Sequence, residues 1–185
     1  MLQPTYPIRT ERLILRPFTS ADADDLFAIY SRPDVVRYLY WEPRTRAQVA
    51  EDLERKLDQS VLMDEGQRLT LAVVLAGQRQ VIGDVTLKWL SRDHRQGEVG
   101  FSFHPHQHGH GFATEAAAAM LDLGFRGLGL HRIIGRCDAR NTPSLRVLER
   151  LGMHREAHFV HNEVFKGEWG DELYYAVRED EWRRP

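Results

Sequence analysis

The residues from Glu98 to Glu115, EVGFSFHPHQHGHGFATE, concentrate the chain's chemically suggestive side chains. They read as a strand, a break at Pro105, a Gly-x-Gly turn made by Gly109 and Gly111, and a helix that begins near Gly109. The first backbone amides of a helix have no intrahelical acceptor and carry the positive end of its dipole, so a glycine-rich helix start suits phosphate or pyrophosphate. Glycine at both positions permits unusual torsions and lets a bulky anion approach the backbone. The same letters also suit a plain strand-to-helix turn. Two sharper phosphate motifs are not matched. A P-loop requires Gly-Lys-Ser/Thr, whereas Gly111 is followed by Phe112 and Ala113. A dinucleotide fingerprint requires a third glycine where Thr114 stands and an acidic residue about 20 positions on, for which Asp138 lies too far along.

Four histidines, His104, His106, His108 and His110, alternate through this stretch. Alternation along a strand would gather same-side rings as metal ligands. Pro105 and the turn at Gly109 break the strand, however, and no carboxylate or cysteine completes a ligand set. No metal is expected, and the histidines read as side chains flanking an anion site.

The elements that must hold this segment can be traced along the chain. Residues 9–18 alternate as a strand with Leu13 and Leu15 on its buried face. Ser20 opens an amphipathic helix with Asp22, Asp24 and Asp25 in its first turn, and Pro33 closes it. A second helix covers residues 44–60, with Val49, Leu53 and Leu57 at spacing four. The aromatic run of Tyr38, Leu39, Tyr40 and Trp41 forms the loop between them, serving as a substrate wall or as core packing. Strand-like runs at 69–75, 81–90 and 98–103 follow as a meander. Residues 109–125 make a helix with a face of small residues, residues 131–138 a strand, and Asn141 caps a helix that ends at Gly152. Strands at 153–161 and 164–177 complete one mixed α/β domain spanning residues 1–185.

Composition narrows the function. Lys plus Arg number 25 and Asp plus Glu 27, a net charge of −2, so neither nucleic acid nor an anionic membrane is expected as a global partner, and functional charge must be local. The single cysteine, Cys137, has no intramolecular disulfide partner, and neither a signal-peptide core nor a membrane-spanning run is read, so a cytoplasmic location is expected.

Taken together, these motifs resemble the GNAT acyltransferase superfamily. HGHGFATEA is similar to its acetyl-CoA-binding motif, Gln/Arg-x-x-Gly-x-Gly/Ala, with Gly111 and Ala113 at the two small positions and His108 where Gln or Arg is preferred. NTPSLRVLERLGM resembles the second signature, Asn-x-x-Ser followed by a helix ending in Leu-Gly-Phe/Met, and TERLILRPF and GEWGDELYYAV look like the RimJ/RimL branch. The resemblance covers essentially the whole chain. It implies a central, mostly antiparallel twisted sheet of about seven strands flanked by helices, and transfer of an acetyl group from acetyl-CoA to a primary amine by direct attack on the thioester. The acceptor would be a peptide N-terminus or a small molecule, and a homodimer is plausible. A succinyl-CoA-type transferase and a non-catalytic CoA sensor stay open as alternatives.

Acyl transfer needs a neutral amine, polarisation of the thioester carbonyl and a destination for the amine proton. The resemblance implies Glu98 as the base, acting through water, and a cofactor site drawn from residues 99–103, including Phe101 and Phe103, from His108, Gly109, His110, Gly111, Phe112, Ala113 and Thr114, and from Asn141 and Ser144. Leu148 stands where many members carry a tyrosine acid, which leaves Ser144 as the hydrogen-bond donor on the thiol side. Tyr38, Tyr40 and Trp41, with the region of Phe165, Trp169 and Asp171, are the candidates for the acceptor wall, since aromatic faces and an acidic spot suit a cationic amine. Transfer activity is expected to survive exhaustive treatment with a metal chelator, and a loss restored by added zinc would reinstate the histidines as ligands.

Overall fold

The computed structural model describes residues 1–185. Strands β1 (Ile8–Arg9) and β2 (Leu13–Arg16) precede helices α1 (Ala23–Tyr30), α2 (Pro33–Val36) and α3 (Arg46–Leu57). The meander β3 (Arg68–Leu75), β4 (Val81–Ser91) and β5 (Gln96–Phe103) follows. Helix α4 (Phe112–Asp122), β6 (Arg132–Asp138), α5 (Thr142–Arg150), β7 (His154–Phe165) and β8 (Glu168–Arg178) complete the chain. All eight strands form one sheet in the order β1-β2-β3-β4-β5-β6-β8-β7, antiparallel except for the β5–β6 pair. No helix is long and apolar enough to cross a membrane.

The strand count exceeds the expected seven because the first strand is divided. Thr10 N–H donates to the Leu13 carbonyl at 3.0 Å and turns the chain, so Ile8 and Arg9 pair back on Leu15 and Ile14. Two other boundaries differ for local reasons. Pro33 opens α2 as well as following α1, since its missing N–H is not needed in a first turn. The last hairpin reverses at Lys166 and Gly167, both at positive φ, whereas the region of His161 is a bulge inside β7.

Strand alternation divides the core by sheet face. Leu69, Leu71 and Val73 of β3 face the core under α4 and α5, and Ala72 and Val74 face α1 and α3. On α4, Ala116 and Ala117 are fully buried beside Met120 and Leu121, and these short side chains let the helix lie close on the sheet. Gly83 of β4 fixes the end of β5. A Cβ there would stand 2.5 Å from the Ser102 carbonyl oxygen and 2.7 Å from the Phe103 ring. Because one clashing atom belongs to backbone, Gly83→Ala is expected to lower stability by about 1–3 kcal/mol, as overpacked sites do. Chemical denaturation checks this, and an unchanged midpoint would show that the two strands yield freely.

Candidate active site

Parallel strands β5 and β6 pair only at Gln96–Arg132, Gly97–Ile133 and Glu98–Ile134. Beyond those pairs β5 continues to Phe103 and β6 to Asp138 without touching in register, so the sheet opens as a wedge. On its other edge β5 stays paired with β4 as far as Phe103, which leaves the edge facing the wedge with unpaired backbone groups. Helix α5 backs β6 here. Gly135 has no side chain, and Leu148 occupies the space, its Cδ2 standing 2.6 Å from where a Cβ would be. The missing tyrosine at Leu148 is thus a buried packing residue.

At the far end of β5 the chain turns into α4. The backbone N–H groups of Gly109, His110, Gly111, Phe112, Ala113 and Thr114 donate to no acceptor, and the first bond of the helix is Glu115 N–H to the Gly111 carbonyl at 3.0 Å. Gly109 and Gly111 both have φ near +80° (+80 and +81), a left-handed conformation that favours glycine. The Thr114 hydroxyl oxygen, in the same first turn, is buried and has no partner. A groove of about 300 Å3 runs beside this turn and is lined by Arg12, Arg150 and Arg184 among others. A row of free amides, an orphan hydroxyl and nearby guanidinium groups fits a phosphate-bearing ligand.

This cradle is fixed from a distant part of the chain. Arg12 Nε donates to Glu115 Oε2 at 2.7 Å, Arg12 Nη1 donates to the His110 carbonyl at 2.9 Å, and the guanidinium lies 4.9 Å from the Phe112 ring centroid. The Thr10 hydroxyl and the Arg12 amide both donate to Glu115 Oε1. Burial pushes the Glu115 carboxyl up, but these donors outweigh it and hold the group below the ordinary carboxylate range. Sequence reasoning missed the pair because the partners lie so far apart along the chain. The histidines flank the cradle separately: His108 Nε2 is 3.1 Å from the Phe103 carbonyl, His110 stacks on Phe112, and His104 packs edge-on against His106. Nowhere are three or more His, Cys, Asp or Glu side chains grouped to hold a metal.

A second concavity, of about 130 Å3, opens where the wedge begins. Glu98, Arg136 and Glu172 alternate with Val99, Cys137 and Leu173, which belong to the core under α4 and α5, so the first three face the opposite side of the sheet. Tyr38 and Tyr40 reach this pocket from the loop after α2. The Tyr40 hydroxyl donates to Glu163, and its ring lies edge-on to Phe165 at 5.6 Å. Arg136 Nε donates to Glu98 Oε1 at 3.0 Å, and Arg140 forks onto Asp138. Trp41 instead packs on Tyr30 at 4.7 Å with the Arg44 guanidinium over it, and Trp169 is 60% exposed against His161. Neither tryptophan lines the pocket.

The start of α5 lies against Cys137 of β6. Asn141 Oδ1 accepts from the Ser144 N–H at 3.3 Å, so the asparagine is the helix cap. The Asn141 carbonyl accepts from the Cys137 thiol at 3.7 Å. Burial pushes the Cys137 thiol up to about 12, so it stays protonated. Sequence reading passed over Arg136, Glu163 and Glu172, since isolated charges on strands carry no motif.

Comparison with known proteins agrees with this architecture. The sequence model described as an acetyltransferase (GNAT) domain matches residues 12–154. The chain is similar to the uncharacterized N-acetyltransferase YnaD of Bacillus subtilis (strain 168), 32% identical over 179 residues that cover 95% of this chain and 98% of YnaD. It is also similar to a spermidine N(1)-acetyltransferase of Vibrio cholerae, 26% identical over 160 residues covering 86% and 89% of the two chains. The crystal structure of a GNAT-family acetyltransferase from Bacillus anthracis superposes with a TM-score of 0.85 at 32% identity, covering 94% of this chain and 99% of that one. The chain belongs to the GNAT acetyltransferase family and is an acyltransferase.

Thr114→Val removes the orphan hydroxyl at nearly constant shape. Stability is expected to stay level or rise, because a buried unsatisfied group is lost, while CoA binding weakens by about tenfold, the value of one hydrogen bond to a charged group. Calorimetric titration with CoA and a thermal melt read the two effects. Unchanged CoA affinity would separate Thr114 from the anion site.

Proposed function

We propose that this protein transfers an acetyl group from acetyl-CoA to a primary amine of a small, cationic acceptor, by direct attack of the amine on the thioester. The observation that carries the reading is the carboxylate-rich pocket at the mouth of the β5–β6 wedge. Glu98, Asp138, Glu163, Asp171 and Glu172 surround one arginine, Arg136, there. A strongly acidic concavity with tyrosine walls attracts an ammonium group by ion pairing and by its aromatic faces. The similarity to spermidine N(1)-acetyltransferases supports the same acceptor class.

In this reading the free amides at 109–114 and the Thr114 hydroxyl hold the pyrophosphate of acetyl-CoA, and the unpaired edge of β5 at 99–103 receives the pantetheine arm. Ser144 stands on the thiol side. Phe101 and Phe103 contribute backbone groups, since Phe103 is buried in the core and Phe101 packs against it. Cys137 lines the pocket, yet its thiol is held protonated by burial, which disfavours an acyl-cysteine route and favours direct transfer.

Incubation with acetyl-CoA and a panel of spermidine, aminoglycosides and peptides with free N-termini, read by thiol release, tests the proposal. Spermidine or another small polycation is expected to be acetylated with the highest kcat/KM. Preference for peptides would move the acceptor to protein N-termini. CoA binding without thiol release from any amine would leave a CoA sensor. Faster turnover with succinyl-CoA would change the acyl group and leave the acceptor assignment standing.

A further inference from the structure

The pocket carboxylates are not equivalent. Glu98 is committed to Arg136 at 3.0 Å, Asp138 to the Arg140 fork, Asp171 to His158 at 2.8 Å, and Glu163 accepts from the Tyr40 phenol. Each of these four is engaged at hydrogen-bond distance by a cationic or ionisable partner, which favours its charged form. Glu172 differs. It is 6% exposed, the least exposed of the group, and its one partner within hydrogen-bond distance is the neutral Asn162 side chain, Nδ2 to Oε2 at 2.9 Å. Arg136 stands farther off, Nη1 at 3.7 Å from Oε1.

We propose that Glu172 takes the proton from the acceptor ammonium, and that Glu98, held by Arg136, positions the acceptor. This rests on the acetyl-transfer reading above. The Glu172 carboxylate accepts one proton from the ammonium group. The freed nitrogen lone pair forms the N–C bond to the thioester carbonyl carbon as the C–S bond breaks. The second proton lost from nitrogen ends on the departing sulfur, and Glu172 returns its proton to solvent.

The environment of Glu172 agrees with this role. Burial pushes its carboxyl above the ordinary carboxylate range, and the nearby charges of Glu163 on β7 and Glu98 on β5 push the same way. Arg136 on β6 and the Asn162 donor on β7 oppose the shift without cancelling it. Asp138, the register partner on β6, and Tyr40 from the loop after α2 also face this pocket. A raised base loses activity as pH falls through its own titration, so the acid limb of kcat/KM is displaced upward.

The test uses the full chain with acetyl-CoA and spermidine, or the best amine of the panel. Glu172→Gln is expected to lower kcat by about 100-fold or more with little change in the KM for the amine, as loss of a proton acceptor does, and to abolish the acid limb. Glu98→Gln is expected to raise the KM for the amine and to keep the limb. Asn162→Ala, which removes a donor to the charged form, should move the limb to higher pH. Unchanged CoA affinity in each variant shows that the fold survives. The assignment is overturned if Glu172→Gln keeps its kcat and its limb, if Glu98→Gln alone removes the limb, or if the wild-type limb lies at the ordinary carboxylate value of about 4.3. Absence of thiol release from wild-type protein with every amine would instead overturn the acetyl-transfer reading and this assignment with it.

Discussion

The site depends on the parting of β5 and β6 after Glu98. Two parallel strands side by side in a sheet would ordinarily pair along their shared length, because unpaired backbone groups are costly when buried. Here each strand is drawn away at its far end. β5 runs into the turn that begins α4, and β6 ends where Ala139 N–H bonds the Asp171 carbonyl and the chain enters α5. The wedge exposes backbone donors and acceptors in the middle of the sheet.

The cradle illustrates how a local propensity is completed by distant residues. Any helix start offers free amides, but those of α4 are held by a salt bridge from the opening segment of the chain. Arg12 closes onto Glu115 and the His110 carbonyl and covers Phe112, so the turn is fixed before any anion arrives. A ligand bound by a rigid set of donors loses less to ordering than one that must assemble them.

The pocket shows the reverse balance, since its charges are set against one another. Burying Glu172 is tolerated because Asn162 reaches it, and Asn162 reaches it because β7 bulges. Between Phe159 and Glu163 the register with β8 slips, pairing Phe159 with Glu172 and Glu163 with Gly170. The extra residues bring Asn162 and Glu163 to the pocket together. A regular strand would alternate them to opposite faces.

The sequence by itself determined most of the order of elements and the glycine-rich turn that opens α4. Each of these follows from short-range rules: alternation in strands, helical spacing, glycine before a helix, and Asn141 as a cap. It also named Glu98, Tyr38 and Tyr40, which line one pocket in the folded chain. Only the tertiary structure decided which aromatic residues face the pocket, since Trp41 and Tyr40 are adjacent in the chain yet one is packed against Tyr30 and the other meets Glu163. Likewise, only it separated the carboxylate held directly by Arg136 from the one whose nearest partner is a neutral amide. Glu98 and Glu172 are both acids on strands, and what distinguishes them is the position of one guanidinium and the depth of burial. Those quantities arise from contacts between β5, β6, β7 and β8, which no local pattern of letters records.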